Sequence, residues 1–272
     1  MTSTPPSTPE FNANSSDHKL LRVLRMLERI SISGEPATIA QIAMRLEIPK
    51  ASAARLVDML VGERFLTRMP NERGLIPGPR STSLALSTLN NNSFRRLCRA
   101  VLRSIVDKLG ETCNVSALDG DRVLYLERVE TAEPLRMHLD LGSRHPLHCT
   151  AGGKLFLSQM SLLERSALLD RIPLVQATPR SLTNRSALDS ELNRLRDLGY
   201  GVDAEEFVVG MVGVAVPVLI GSRRCGMALV CHAASARSSL DRLITQLPLL
   251  REGAKQLQTL FDDPCASLAP DA

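Results

Sequence analysis

The stretch with the densest chemistry is Pro146-Leu147-His148-Cys149-Thr150-Ala151-Gly152-Gly153-Lys154. Thr150 carries the hydroxyl of a helix N-cap, and Ala151, Gly152 and Gly153 leave the first amides of the following helix almost uncovered. N–H groups at the positive end of a helix dipole can hold an anion, here a small carboxylate. The same glycines could instead let the helix lie tightly on a sheet, and composition leaves both readings open. His145, His148 and Cys149 offer ligands or a nucleophile. No second cluster or carboxylate accompanies them, so packing is the expectation and a metal site is not. Neighbouring residues on a strand point to opposite faces, so His148 and Cys149 form no catalytic pair by adjacency. Gly152-Gly153-Lys154 does not complete a phosphate loop, because Leu147 stands where the first glycine is needed. GxSxG, HExxH and GxGxxG motifs do not occur. Glu205 and Glu206 read as solvated loop acids. No catalytic residue and no cofactor is expected.

A second chemistry lies in Pro49-Lys50-Ala51-Ser52-Ala53-Ala54-Arg55-Leu56. Ala53, Leu56, Val57 and Leu60 recur at i, i+3, i+4 and i+7, which makes them the buried stripe of a helix. Lys50, Ala51, Ser52, Arg55 and Asp58 then project outward. Small residues beside Lys and Arg let a backbone approach a DNA groove while the long side chains reach phosphates or guanine edges. A merely solvated basic face is the alternative.

The elements that must hold these residues follow from periodicity and capping. Leu20, Val23, Leu24, Leu27 and Ile30 mark a first helix, ended at Ser33-Gly34-Glu35-Pro36. Thr38-Ile39-Ala40-Gln41 is a capping box, opening a short helix with Ile42, Ala43 and Leu46 inward. Pro49 suits the first position of the third helix. Two short apolar runs flank Pro70-Asn71-Glu72-Arg73 and read as a hairpin wing. These elements make residues 17–80 a winged helix-turn-helix. Residues 81–96, with Leu84, Leu86 and Leu89 before Asn90-Asn91-Asn92-Ser93, read as a linker helix that ends or loosens there; a bare loop is the alternative. In residues 97–262 a helical stripe (Leu97, Val101, Leu102, Ile105, Leu109) precedes strands at 113–118 and 122–129, joined by Asp119-Gly120-Asp121. Further strands are expected at 135–141, 212–219 and 226–231, the last two around Gly221-Ser222-Arg223. Helices are expected from Thr150, over 161–171 and 186–198, and as one helix over 240–260. Hairpin-paired strands flanked by helices indicate an α+β domain with an antiparallel sheet.

Composition narrows the function classes. Of 272 residues, 44% are apolar and 23% charged, enough for a core without disulfides. Aromatics are only 3%, with no Trp and two Tyr, which argues against carbohydrate clefts and base-stacking platforms. The six cysteines (98, 113, 149, 225, 231 and 265) form no CxxC pair and read as reduced packing residues of a cytoplasmic protein. No apolar run reaches the roughly 20 residues of a membrane span. Residues 1–16, rich in Pro, Ser, Thr and Asn, read as a disordered tail rather than a signal peptide, and 263–272 as a second tail. Residues 17–95 hold 12 Lys and Arg against 7 Asp and Glu, while 96–272 hold 21 of each. A basic head joined to a neutral body suggests a polyanion-binding module and a body with a different task.

These residues carry a resemblance. Thr38 to Ala43, Ile48 to Leu56 and Gly62-Glu63-Arg64-Phe65-Leu66 resemble the DNA-binding domain of the IclR family of bacterial transcriptional regulators. Leu135-Arg136-Met137, Gly142-Ser143, Pro146 to Ala151, Gly153-Lys154, Gly199 to Asp203, Glu205-Glu206-Phe207 and Gly210 are similar to its GAF-like effector-binding domain. The resemblance implies a promoter-binding regulator, not an enzyme. Its partners would be double-stranded DNA at a near-palindromic operator, a small carboxylic or aromatic acid, and further copies of itself as a homodimer or dimer of dimers. The DNA-contacting set is read as Thr38, Arg45, Lys50, Ala51, Ser52, Arg55, Arg68 and Arg73. The resemblance implies an effector pocket at Met137, His145, Ala151, Asp203, Met211, Gly213, Val230 and His232, to which the helix-start reading adds Gly152. Ala51 and Ala54 replace a serine and a ring residue usual in the family, so the operator sequence does not transfer. Gly213 stands where cysteine is frequent, and Val230 and His232 replace serines of some keto-acid-binding members. A reshaped pocket is therefore expected, with Gly213 admitting a larger ligand.

Overall fold

The structure, a computed structural model, describes residues 15–32, 36–69, 74–89, 92–220 and 224–262. The chain divides into two compact units, residues 1–88 and 89–272. Ser33 to Glu35, the Pro70 to Arg73 turn, Asn90-Asn91, Gly221 to Arg223 and both expected tails, save Ser15 and Ser16, lie outside the described residues.

In the first unit α1 (Ser15–Ile32), α2 (Ile39–Arg45) and α3 (Lys50–Gly62) precede a small antiparallel pair, β1 (Leu66–Arg68) and β2 (Leu75–Pro77), and α4 (Pro79–Leu89). Thr38 and Gln41 form the expected capping box: Gln41 N donates to Thr38 Oγ1 at 3.2 Å, and Thr38 N to Gln41 Oε1 at 2.8 Å. Pro49 sits one position earlier than expected, as the N-cap of α3. Met26, Ile30, Ala37, Ile42, Val57, Leu60, Leu66 and Leu75 share one core. The stripe expected on α1 is corrected: Leu20 and Leu24 are exposed, and Met26 joins Ile30 inside. The strand pair buries Leu66 and Leu75 and pins the chain that follows α3.

In the second unit α5 (Asn92–Leu109) leads into a six-stranded antiparallel sheet of order β5-β4-β3-β8-β7-β6. The strands are β3 (Thr112–Asp119), β4 (Arg122–Val129), β5 (Arg144–Pro146), β6 (Gly201–Ala204), β7 (Met211–Ile220) and β8 (Arg224–Ala234). Between β5 and β6 come α6 (Ala151–Gln159), α7 (Leu162–Leu169) and α8 (Arg185–Leu198), and α9 (Leu240–Thr245) and α10 (Leu247–Asp262) follow the sheet. One sheet face is largely apolar: Cys113, Val115, Val212, Val214, Val216, Leu229 and Cys231 pack with residues of α5, α9 and α10, and Glu127 on the same face pairs with Arg95 and Arg99 of α5. The other face meets α6, whose Leu155, Phe156 and Leu157 pack with Val123, Tyr125, Ala215, Val230 and Leu188 and Leu192 of α8.

Three expectations are corrected. Residues 135–141 alternate in hydropathy but form no strand, and β5 instead pairs with Arg122 to Leu124 of β4; Leu135 and Leu141 are exposed. The expected terminal helix is two, broken at Gln246, because Pro248 has no N–H to give Ile244 and its ring cannot follow α9. His148 and Cys149 lie in a turn, not a strand. β5 and β6, which sequence reading did not separate from loop, are three and four residues long.

Candidate functional site

The helix α3 separates its residues as the periodicity requires. Ala53, Val57 and Leu60 are buried, whereas Lys50, Ala51, Ser52, Arg55 and Asp58 are exposed. No side chain caps its start, so the first-turn N–H groups have no side-chain partner and Lys50 stands beside them. Arg45 is exposed at the end of α2. Arg68 of β1 donates to Asp58 Oδ1 at 2.5 Å, tying the strand pair to the outer side of α3. Thr38, read as a DNA contact, has its hydroxyl engaged in the capping box, and Arg73 lies outside the described residues.

The sheet face under α6 carries the second cluster, and strand register gathers it. His232 pairs with Gly213, and Gly213 with Asp203, forming one row across β8, β7 and β6. The adjacent row runs Arg128, Asn114, Val230, Ala215 and Gly201. Tyr125 belongs to the same face because the β3–β4 register shifts between Val115 and Ser116. With Leu126 as the extra residue, Tyr125 and Arg128 face one way although their numbers differ by three.

Hydrogen bonds lock part of this cluster and leave the rest open. His232 Nε2 lies 2.8 Å from Asn114 Oδ1 and 3.3 Å from the Tyr125 hydroxyl. The Tyr125 ring lies 4.5 Å from that of His145 at a tilt of 57°, and His145 meets Phe207 edge-on at 5.1 Å. Asp203 Oδ1 accepts the N–H groups of Glu206 (2.7 Å) and Phe207 (3.3 Å). Yet His232 Nδ1, Asp203 Oδ2, Asn114 Nδ2, Ser116 Oγ and Arg128 Nη1 are buried without a hydrogen-bond partner. Burying an unpaired polar atom costs about 1–3 kcal/mol, so five on one sheet face form a polar surface shaped for something else.

Burial also sets the protonation of these groups. It pushes the Asp203 carboxyl up to about 7, against the opposing pull of its two N–H donors. It holds the His232 imidazole down to about 3, with the Arg128 charge and His145 acting the same way. His145 is lowered for the same reasons. Burial pushes the Cys149 thiol up to about 12, which makes it a poor nucleophile, and His148 Nε2 lies 2.9 Å from the Val175 carbonyl. Among the described residues no group of three or more His, Cys, Asp or Glu is placed to hold a metal ion.

Each residue read as part of the effector pocket has a place. Ala151, Asp203, Met211, Gly213, Val230 and His232 are buried together on or above this face, and His145 and Met137 are half-buried at its border. Thr150 caps α6, its Oγ1 accepting Gly153 N at 3.2 Å. Gly152 packs tightly: a Cβ there would lie 3.1 Å from Ser116 Oγ and 3.4 Å from Val230 Cγ2. Gly213 does not open free space, since its Cβ position lies 3.1 Å from His232 Nδ1 and 3.7 Å from the Ala151 Cβ.

Sequence reading missed Asn114, Ser116, Tyr125, Arg128 and Phe207. The available signal was Asn114 and Ser116 alternating with apolar residues in a strand whose two faces are both covered. The reading of Glu205-Glu206 as solvated is corrected as well. Glu206 is 5% exposed and pairs with the fully buried Lys154, whose Nζ also lies 3.4 Å from Glu191 Oε1. Glu205 accepts Gly210 N at 2.8 Å and meets Arg180 at 3.3 Å. A separate open surface depression of 510 Å³ lies between α8 and β6, bordered by Arg180, Glu191, Arg194 and Glu206.

Comparison with known proteins matches both units of the chain. Residues 86–259 match the family described as bacterial transcriptional regulator IclR C-terminal, and residues 19–70 the IclR helix-turn-helix domain. The chain is 37% identical to the probable transcriptional regulator SauR of Cupriavidus necator over 249 residues, covering 92% of this chain and 99% of that one. It is 26% identical to the HTH-type transcriptional repressor AllR of Escherichia coli K12 over 254 residues, covering 93% and 94%. The crystal structure of Thermotoga maritima IclR shares the fold, with a TM-score of 0.60 at 23% identity over 90% of this chain and 98% of that one. A helix-turn-helix head and an IclR-type body in one chain make this protein a DNA-binding transcriptional regulator, a member of the IclR family.

Proposed function

We propose that a small organic acid, bound on the polar sheet face beneath α6, controls how tightly this regulator holds its promoter. The observation that carries the reading is the set of buried, unpartnered polar atoms on Asn114, Ser116, Arg128, Asp203 and His232, gathered on one face of the sheet. The donors in that set, with the positive charge of Arg128, favour an anion. The proposed pocket comprises Ala151, Asp203, Met211, Gly213, Val230 and His232, bordered by Met137 and His145, with Gly152 holding α6 close to the sheet.

On the DNA side, Lys50, Ala51, Ser52 and Arg55 are the proposed groove-facing residues, with Arg45, Arg68 and Arg73 toward the backbone and Thr38 ordering the start of α2. One head reads too few base pairs for high specificity. A symmetric dimer would set two copies of α3 about 34 Å apart on a near-palindrome. Leu20, Leu21 and Leu24, exposed on one side of α1, support pairing through the head, and pairs of dimers are the further expectation. The protein acts in the cytoplasm and turns over no substrate; its cysteines 98, 113, 149 and 231 are buried free thiols, and among the described residues no helix is long and apolar enough to cross a membrane. The acid changes DNA affinity only by its differential affinity for two arrangements of the heads.

The test is a thermal-shift screen of small acids on the full chain, followed by Asp203→Asn and His232→Gln. A binding acid raises the unfolding temperature by mass action, and both variants should reduce that rise. An acid that stabilises both variants as much as the parent would place the pocket elsewhere.

A further inference from the structure

On the largely apolar face of the sheet, Cys113 of β3 and Cys231 of β8 stand directly opposite one another in the antiparallel register. Both are free thiols and both are fully buried. The ladder settles how close they come. Ser235 N donates to Gly210 O at 2.8 Å, one step beyond the Met211–Ala234 pair. Ladder bonds alternate along an antiparallel pair, so Ser235, Ala233 and Cys231 bond their backbones to β7, and His232 and Val230 bond theirs to β3. Cys113 and Cys231 are therefore a non-hydrogen-bonded pair, the kind whose Cα atoms lie about 4.5 Å apart with the side chains closer. A disulfide spans Cα separations of about 4.4–6.8 Å, so the two sulfurs join with the ladder intact. Their surroundings give them different parts. A hydrogen bond to Cys113 and burial hold the Cys231 thiol well above its ordinary range, with the Arg237 charge pulling the other way. Cys113 donates to the Glu111 carbonyl at 3.7 Å and sits near the start of β3, close to the exposed Gly110. Cys231 keeps its proton, and Cys113 is the thiol nearer water.

We propose that Cys113 and Cys231 are an oxidation site, which a hydroperoxide converts in the folded chain into a disulfide tying β3 to β8. The Cys113 sulfur attacks one peroxide oxygen and the O–O bond breaks. The Cys113 thiol proton goes to the departing oxygen, which leaves as an alcohol or water, and Cys113 becomes a sulfenic acid. Cys231 then attacks the Cys113 sulfur, the S–O bond breaks, and hydroxide leaves as water with the Cys231 proton. The peroxide is reduced by two electrons and the thiol pair is oxidised by two. Asn114 and His232 follow the two cysteines in the chain and point to the opposite face, where His232 Nε2 lies 2.8 Å from Asn114 Oδ1. A bond closed on one face thus reaches the buried polar cluster on the other, whatever ligand that cluster takes.

The experiment treats the full chain with hydrogen peroxide, alkylates the remaining thiols in denaturant, and maps the peptides by mass spectrometry. The expected product joins the Cys113 peptide to the Cys231 peptide and is released by dithiothreitol. The oxidised chain should still unfold cooperatively, at a higher temperature than the reduced one, because the cross-link closes a long loop in the unfolded state. Cys113 and Cys231 both alkylated after peroxide, or joined only when peroxide acts on the urea-unfolded chain, would overturn the proposal. Cys231→Ala removes the second thiol and should leave a sulfenic acid on Cys113 that dimedone traps. Dimedone absent from Cys113 in that variant overturns the order of the two steps. The His232 ring signals, assigned by nuclear magnetic resonance with His232→Gln, should move on oxidation of the parent, return with dithiothreitol, and stay fixed in Cys231→Ala. Unmoved signals in a chain that carries the bond overturn the connection to the polar cluster.

Discussion

Lys50, Ser52, Arg55 and Asp58 on α3 have the same side-chain chemistry as Lys154, Ser116, Arg128 and Asp203 in the C-terminal unit. The first four are exposed and the second four buried. On α3 the four polar groups are open to water, Asp58 while also paired with Arg68, so removing one changes little in the folded state and leaves it suited to contact with another macromolecule. Under α6 each polar group has lost water, and it is either paired, as Lys154 is with Glu206, or left with an open bonding site. Exposure suits the proposed DNA-facing surface. Burial suits the proposed small-molecule site and takes stability to do so.

The contrast is sharpest between the two lysines. Lys154→Met leaves Glu206 and Glu191 without their buried cation, and breaking such a pair from one side costs about 3–5 kcal/mol. Chemical denaturation should show that loss, with part of it recovered in Lys154→Met/Glu206→Leu. Lys50→Met should leave stability within about 0.5 kcal/mol. Equal effects at the two sites would break the comparison.

On DNA the order reverses. Lys50→Ala/Arg55→Ala should weaken promoter binding in a gel shift by about a hundredfold, from about 1–3 kcal/mol for a base contact plus a lost phosphate contact, with unfolding unchanged. An unchanged gel shift would remove α3 from the proposed interface.

The carboxylates separate by pH. Asp203, held up to about 7, keeps its proton in the folded state where the unfolded chain, near 4, has released it. Its contribution is present below about 4 and lost as pH rises to 7. His232, held down to about 3, works oppositely: its contribution is present above about 6.5 and lost as pH falls toward 3. Between about 4 and 6.5 the two oppose each other. Asp203→Asn leaves the histidine effect alone, so urea midpoints at pH 6.5 and 4.5 should fall further apart than in the parent, by up to about 1.4 kcal/mol per pH unit. Parallel behaviour would contradict the assigned protonation of Asp203.

The smallest expected difference lies between the two serines. Ser116→Ala removes a buried hydroxyl without a partner and should stabilise the fold by about 1 kcal/mol, while Ser52→Ala should be neutral. A destabilised Ser116→Ala would mean that the hydroxyl is satisfied in the folded state.

Much of this arrangement can be read from the chain, for physical reasons that differ by region. The head is local: the capping box at Thr38 and the four-residue stripe of α3 act within a turn or two, so spacing alone orients Lys50 and Arg55. The buried site is non-local. Ala151, Asp203, Gly213 and His232 come together only through register between β6, β7 and β8, and were placed by family resemblance rather than by pattern. Tyr125 and Arg128 escaped notice because the shift at Val115 and Ser116 breaks the alternation on which strand reading depends. Residues 135–141 failed in the opposite way. Their alternation is good, but they form no ladder with β4, and the Arg128 side chain instead donates from Nη2 to the Met137 carbonyl.

The central claim is that occupancy of the buried face sets the behaviour of the exposed one. It is tested most directly by fluorescence anisotropy of the full-length protein on a DNA segment that the protein itself selects from a random-sequence pool, titrated with an acid that raises its unfolding temperature. The account predicts that the acid shifts the DNA Kd of the parent, and that Asp203→Asn binds the same DNA equally well while losing most of the shift. A shift of equal size in Asp203→Asn, or none in the parent at saturating acid, would contradict it.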